Sequence, residues 1–157
     1  MHLHSAAGIL HDNFRVSSLD YGHIMDRTFL LDKDLKAFEK KLRLAAFNVF
    51  ANNRDDHSKN FSFMMDKSGR WKFAPGYDLT FSYSVHGFHS TSIAGVSAHP
   101  TKKYLLAWAK HFEIKNAHTI IDEVQCVITG WKKYASAANV SKESKIGIDK
   151  VIQQKLI

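Results

Sequence analysis

The sequence predicts an α+β fold, mainly helical, with one small β-hairpin set between helices. Three observations carry that expectation. Apolar residues recur at helical spacing from Leu35 to Val49, two short aromatic runs flank a turn signature between 61 and 74, and helix-like periodicity resumes beyond residue 100.

Taken in order, "SAAGILH" at 5–11 suits a helical turn. A helix is then expected from Ser17 or Ser18, with serine as N-cap and Asp20 in the first turn, running through "DYGHIMDRTFLL". The next helix is clearer. Leu35, Phe38, Leu42, Ala45 and Val49 form one apolar stripe, Phe47 and Phe50 widen it, and Lys36, Lys40, Lys41 and Arg43 fall off it. It should stop near Asn52–Asn53, because asparagine suits a turn or left-handed backbone. "FSFMM" at 61–65 and "RWKFA" at 70–74, joined through "DKSG", read as a hairpin. Trp71, Tyr77 and Phe81 read as core. From Ser82 to Pro100 the chain is rich in Gly, Ser and His without a period, and a loop of that length is usually functional or mobile. Helices are expected again at "TKKYLLAWAKHF", at "NAHTIIDEVQCVITGWKKYA" with Ile120, Val124, Val127 and Trp131 on one face, and at "SKESKIGIDKVIQQKLI".

With 157 residues the chain fits one domain, which buries roughly two-thirds of its unfolded surface. The single cysteine, Cys126, rules out an internal disulfide, and its apolar flanks predict a buried, inert thiol. No apolar run approaches the roughly 20 residues that span a bilayer, and "MHLHSAAG" lacks a signal-peptide pattern, so no membrane role and a cytoplasmic location are expected. The net charge of +7 is concentrated in the last third of the chain. Those lysines are spread along helix-like segments, as a solvated face would be, so direct nucleic-acid binding is not expected.

The chemistry is concentrated in "NNRDDHSKNFSF", residues 52–63, between a buried helix and the hairpin. A hairpin returns the chain towards its start, so Asp55 and Asn60 at one end should face Asp78 at the other. Phosphoryl transfer needs that set: one carboxylate to orient a hydroxyl and take its proton, and an amide oxygen with a second carboxylate to hold magnesium on nucleotide phosphates. Asp55 and Asn60 reproduce the Asp-x-x-x-x-Asn spacing of a protein-kinase catalytic loop, and Asp78 in "GYDLT" follows 18 residues on. Either motif alone would mean little, since caps and turns use the same residues. Together, in the order helix, loop, hairpin, Asp, they favour a nucleotide–metal site. His86 and His89 have zinc-ligand spacing but no Cys or carboxylate partner nearby in sequence, and read as exposed loop histidines.

"FNVFANNRDDHSKNFSFMMD" with "GRWKFAPGYDLT" resembles the core of HipA-type serine/threonine kinases, the toxin kinases of bacterial persistence modules. "HLHSAAGILHDNFRVSSLDY", "HSTSIAG" and "HPTKKYLLAWAKHF" fit the same family, and the likeness weakens after about residue 135. The resemblance implies the C-terminal lobe of a protein-kinase-like fold, with ATP and Mg2+ as cofactors. It implies Asp55 as catalytic base, Lys59 steadying the transferred phosphate, and Asn60 and Asp78 as magnesium ligands. His57, Lys59 and Asn60 with Tyr77 and Asp78 would line the nucleotide phosphates. Asp56 falls at a position that varies in the family, and is expected only to cap the loop. His57 is expected to pack the loop or to touch phosphate. The implied partners are a protein substrate, aminoacyl-tRNA synthetases among them, and a HipB-like DNA-binding antitoxin.

The chain shows no Gly-x-Gly-x-x-Gly and no strand-borne Val-Ala-Ile-Lys. The N-terminal nucleotide-clamping lobe is therefore expected from the same or another chain, and residues 1–157 are expected to bind nucleotide poorly alone. Two other readings stand beside the kinase. One is a catalytically incomplete module that binds an antitoxin or the N-terminal lobe. The other is a small-molecule phosphotransferase, differing only in what the 82–100 loop admits.

Overall fold

The computed structural model describes residues 1–16, 18–84 and 87–156. It is α+β, about half helical, with a three-stranded antiparallel sheet. In chain order the elements are β1 (His2–Ser5), α1 (Ala6–Ile9), α2 (Tyr21–Leu31), α3 (Leu35–Phe50), a 3-10 turn (Ser58–Asn60), β2 (Ser62–Met65), β3 (Trp71–Phe73), α4 (Lys102–His111), α5 (Ala117–Thr129), α6 (Trp131–Ala137) and α7 (Lys142–Lys155).

The expected hairpin is present, with Phe63 opposite Phe73 in β2–β3. Its turn is closed by the Asp66 carboxylate, which accepts from the Ser68 and Arg70 amides at 2.8 and 3.0 Å, with Gly69 at φ +77° where a side chain would be strained. The sequence did not predict β1. Only four residues long, it exists by pairing with β2, Ser5 opposite Ser62, before Ser5 caps α1.

Helix α2 begins later than expected. Its N-cap is Asp20, whose carboxylate accepts from the Gly22 amide at 2.8 Å while His23 Nδ1 accepts from the Asp20 amide at 3.1 Å. Ser18 precedes that cap, and Ser17 lies outside the described residues. In α3 the stripe Phe38, Leu42, Ala45 and Val49 is buried as expected, whereas Leu35 at its start is exposed. Lys41 is the larger departure. At 2% exposure it lies inside, its ammonium 3.2 Å from the centroid of the Phe73 ring.

Helices α3 and α5 pack face to face through Ile120, Ile121 and Val124. The long helix expected across 116–135 is broken at Gly130 into α5 and α6, and Val127 points out rather than continuing the buried face. Cys126 is exposed on the same outer side, so its thiol is not the buried one its flanks suggest. The aromatic centre of the core is Tyr21, edge-on to Phe61 and Trp108 at 5.3 and 6.0 Å. Among the described residues no helix is long and apolar enough to cross a membrane.

Candidate active site

The loop that leaves α3 is bent at once by Asn52, at φ +54°. Its amide side chain and backbone carbonyl engage the carbonyl and amide of Ser82 at 3.1 and 3.0 Å. The start of the polar loop and the end of the post-hairpin strap are thereby held side by side. Asp78 also takes a left-handed backbone, φ +53°, which aspartate tolerates better than most residues.

This bend brings three of the predicted residues together. Asn60 Nδ2 donates to the Asp55 carbonyl at 2.9 Å and to Asp78 Oδ2 at 3.0 Å. Nδ2 faces the Asp78 carboxylate, and Oδ1 is the hard oxygen that Asn60 offers a cation. The Asp55 side chain is 56% exposed, its Oδ1 3.8 Å from His57 Nε2. Among the described residues no three His, Cys, Asp or Glu side chains cluster into a protein-only metal cage. One carboxylate and one amide oxygen nevertheless suit magnesium, which keeps waters and takes phosphate oxygens for the rest of its shell. The donor set fits.

The other predicted residues are placed around this core. His57 packs edge-on against Phe14 with centroids 5.4 Å apart. Lys59 reaches the face of the same ring, Nζ 3.7 Å from its centroid, so its charge rests on an aromatic surface beside the loop. Tyr77 is 40% exposed and not core as expected; its hydroxyl donates to the Lys59 carbonyl and meets Ser62 Oγ at 2.7 Å, tying the 3-10 turn to the strap. Trp71 packs half-buried against the core, as expected, and Phe81 is half-buried against Tyr83.

Asp56 does more than cap. It is 1% exposed, and Oδ2 meets the Tyr21 hydroxyl and His89 Nδ1, each at 3.0 Å, while Oδ1 accepts from the Ser90 and Thr91 amides at 2.9 and 3.4 Å. His89 is therefore buried against a carboxylate, contrary to the exposed loop histidine the sequence suggested; His86 lies outside the described residues. The network continues inward. Asn48 donates to Tyr21 at 2.7 Å, Asn53 donates to Asn48 at 3.0 Å, and the same Asn53 amide reaches the Asp78 carbonyl at 3.4 Å. Burial first, and then Asp56, push the Tyr21 hydroxyl well above its ordinary pKa, so it remains a proton donor. This chain of hydrogen bonds runs from the Asp55–Asp56 loop to the Asp78 strap. Sequence reasoning missed Tyr21, Asn48, Asn53 and His89; the one available signal was that Asn48 is the single polar residue in the apolar run from Leu44 to Ala51.

Two cavities of similar size adjoin this region. A polar one of about 1080 Å3 includes Asp55, His57, His89, Ser90 and Ser92. An apolar one of about 1050 Å3, between α3, α5 and the strap at Pro75–Gly76, contains none of Asp55, Asn60 and Asp78. Of Asp55, Asn60 and Asp78, the polar cavity is lined by Asp55 alone.

Comparison with known proteins bears on the fold and the family. One matching solved structure is the Shewanella oneidensis MR-1 toxin–antitoxin system HipA, HipB and its operator DNA complex. The match has a TM-score of 0.70 and 15% sequence identity, and covers 99% of this chain and 42% of that one. At that identity the likeness speaks for the fold alone, and this chain spans less than half the length of that protein. No match was found among curated protein sequences. The family described as HipA-like C-terminal domain matches residues 1–131, most of the sequence, and the chain belongs to that family.

Proposed function

We propose that this chain is the catalytic lobe of a HipA-like serine/threonine protein kinase, the toxin component of a toxin–antitoxin module. It transfers the γ-phosphate of ATP to a protein hydroxyl when an N-terminal lobe completes the nucleotide clamp. The observation that carries this reading is the Asn60 amide joining the Asp55 carbonyl to the Asp78 carboxylate across 18 residues of hairpin. Metal-assisted phosphoryl transfer needs an amide oxygen and a carboxylate side by side next to a general base, and the adjacency of Asn60 and Asp78 beside the Asp55 loop supports this reading.

In this reading Asp55, at the edge of the polar cavity, orients the substrate hydroxyl and accepts its proton. Asn60 Oδ1 and the Asp78 carboxylate would hold Mg2+, which would supply charge neutralisation at the nucleotide phosphates. Lys59 leaves its aromatic rest on Phe14 to meet the phosphate as a point charge, and the His57 edge and Tyr77 keep the 3-10 turn in register. The buried Asp56 network holds the Asp55 backbone while the side chain stays free to react. The same reading assigns the chain to the C-terminal lobe of a protein-kinase-like fold. A HipB-like antitoxin, a protein substrate and a cytoplasmic setting belong to the same proposal.

The test is transfer of label from γ-labelled ATP to protein serine or threonine, with the N-terminal lobe present. Asp55→Asn should lower transfer about 10²–10⁴-fold, as loss of a general base does. Equal transfer by the variant would refute the assignment.

A further inference from the structure

Phe14 carries two cations. Its half-buried ring has the Lys59 ammonium 3.7 Å and the Arg15 guanidinium carbon 4.7 Å from its centroid, with the His57 ring edge-on at 5.4 Å. Two like charges drawn to one ring repel each other, and a carboxylate would ordinarily offset that repulsion. None does. Among the described residues no ion pair forms at Arg15 or Lys59. The carboxylates nearest Arg15 in sequence are engaged elsewhere. Asp12 accepts from the Ser58 hydroxyl, and Asp20 accepts from the Gly22 amide, the Ser92 hydroxyl and the Gly95 amide. Both cations are exposed, where contact with an aromatic face is weak, so either can leave it for an anion.

The two cations do not face the same space. Arg15 lines the polar cavity together with Phe14, His57 and Asp55, whereas Lys59, like Asn60 and Asp78, is not part of that lining. The Phe14 ring therefore stands at a border, with Asp55 and Arg15 on the cavity side. In the phosphoryl-transfer reading, on which this inference rests, that border is where the phosphoryl group crosses. The cavity that Asp55 lines admits the acceptor hydroxyl, and Asn60 and Asp78 mark the nucleotide side.

We propose that Arg15 is a further catalytic residue, meeting the transferring phosphoryl group from the acceptor side while Lys59 meets it from the nucleotide side. The acceptor oxygen bonds to the γ-phosphorus as its proton passes to Asp55. The bond from that phosphorus to the bridging oxygen breaks, and its electron pair leaves with ADP. Negative charge is spread over the three equatorial oxygens during the exchange, more than one point charge on one side can serve. A guanidinium presents a planar fork of N–H donors that spans two phosphate oxygens, which an ammonium does not. Stacked on Phe14 in the cavity wall, the Arg15 fork is already oriented, so it loses little freedom when phosphate arrives.

The experiment is steady-state transfer from γ-labelled ATP to a protein acceptor, with the N-terminal lobe present, for wild type, Arg15→Ala and Arg15→Lys. Arg15→Ala should lower kcat about 10²–10³-fold, as loss of one transition-state donor does, with both KM values within about threefold of wild type. Guanidinium added well below denaturing concentration should restore part of that rate, and tetramethylammonium should not. Arg15→Lys keeps the charge and loses the fork, so its kcat should stay at least about tenfold below wild type. Because Arg15 is exposed, both variants should melt with wild type. A kcat equal to wild type in Arg15→Ala, a loss confined to the acceptor KM, or a loss that guanidinium leaves unchanged would overturn the proposal. Asp55→Asn in the same assay separates the two claims. If that variant falls and Arg15→Ala does not, the role of Arg15 fails alone; if wild type transfers no label, the phosphoryl-transfer reading fails and takes this inference with it.

Discussion

Replacing Asp56 by asparagine keeps the shape of the side chain while removing its charge and one acceptor oxygen. The structure says what that strands. Oδ2 serves both Tyr21 and His89, and an NH2 group in its place meets the Tyr21 O–H donor to donor, because Tyr21 already accepts from Asn48. A stranded buried hydroxyl costs about 1–3 kcal/mol, and bonds that remain to the loop amides lose their charge assistance. Relief from burying a carboxylate offsets part of this. The expected loss is about 3 kcal/mol, a fall of about 6–12 °C in Tm for a chain of this size. Urea unfolding of wild type, Asp56→Asn, Tyr21→Phe and the double variant is the assay. Removing the Tyr21 hydroxyl also removes the clash, so the two costs should fall short of additivity by about 1 kcal/mol. A loss in Asp56→Asn below about 0.5 kcal/mol, or strict additivity, would refute the assignment of Asp56 as the hub of the loop.

Lys41→Met should stabilise the fold at pH 7 by about 1–3 kcal/mol, since burial of an ammonium outweighs its contact with the Phe73 ring. Burial lowers the folded pKa of Lys41 well below its ordinary value, so the unfolded chain holds the proton to higher pH. Wild-type stability should therefore rise with pH between the lowered folded value and about 10.4, a slope that the methionine variant lacks in urea midpoints. Cys126, exposed on α5, should react with a thiol reagent at a rate close to that of the unfolded chain; protection in the native state would place it back in the core. Gly69→Ala should cost about 1 kcal/mol in urea unfolding through backbone strain at φ +77° alone, because an added Cβ there meets nothing within 4 Å.

What the sequence disclosed was local. The α3 stripe and the hairpin turn are each written within about fifteen residues, and the structure reproduces both. The alignment of Asp55, Asn60 and Asp78 was also legible, because a hairpin has only one way to return. What stayed hidden depended on distant partners. β1 forms because β2 offers an edge, His89 is buried because Asp56 lies 33 residues earlier, and Lys41 goes inside because Phe73 provides a ring to receive it. Cys126 misled in the opposite sense: its neighbours in sequence are apolar, yet on α5 it sits on the outward side with Val127.

The most direct test of the proposed site, with the N-terminal lobe present, uses Mn2+ with ATP in place of magnesium, read as paramagnetic broadening of side-chain amide signals. The account predicts that Asn60 broadens first, ahead of Asn13 and Asn116, and that Asp78→Asn abolishes the effect. Broadening spread evenly over the three asparagines, or unchanged in Asp78→Asn, would contradict it.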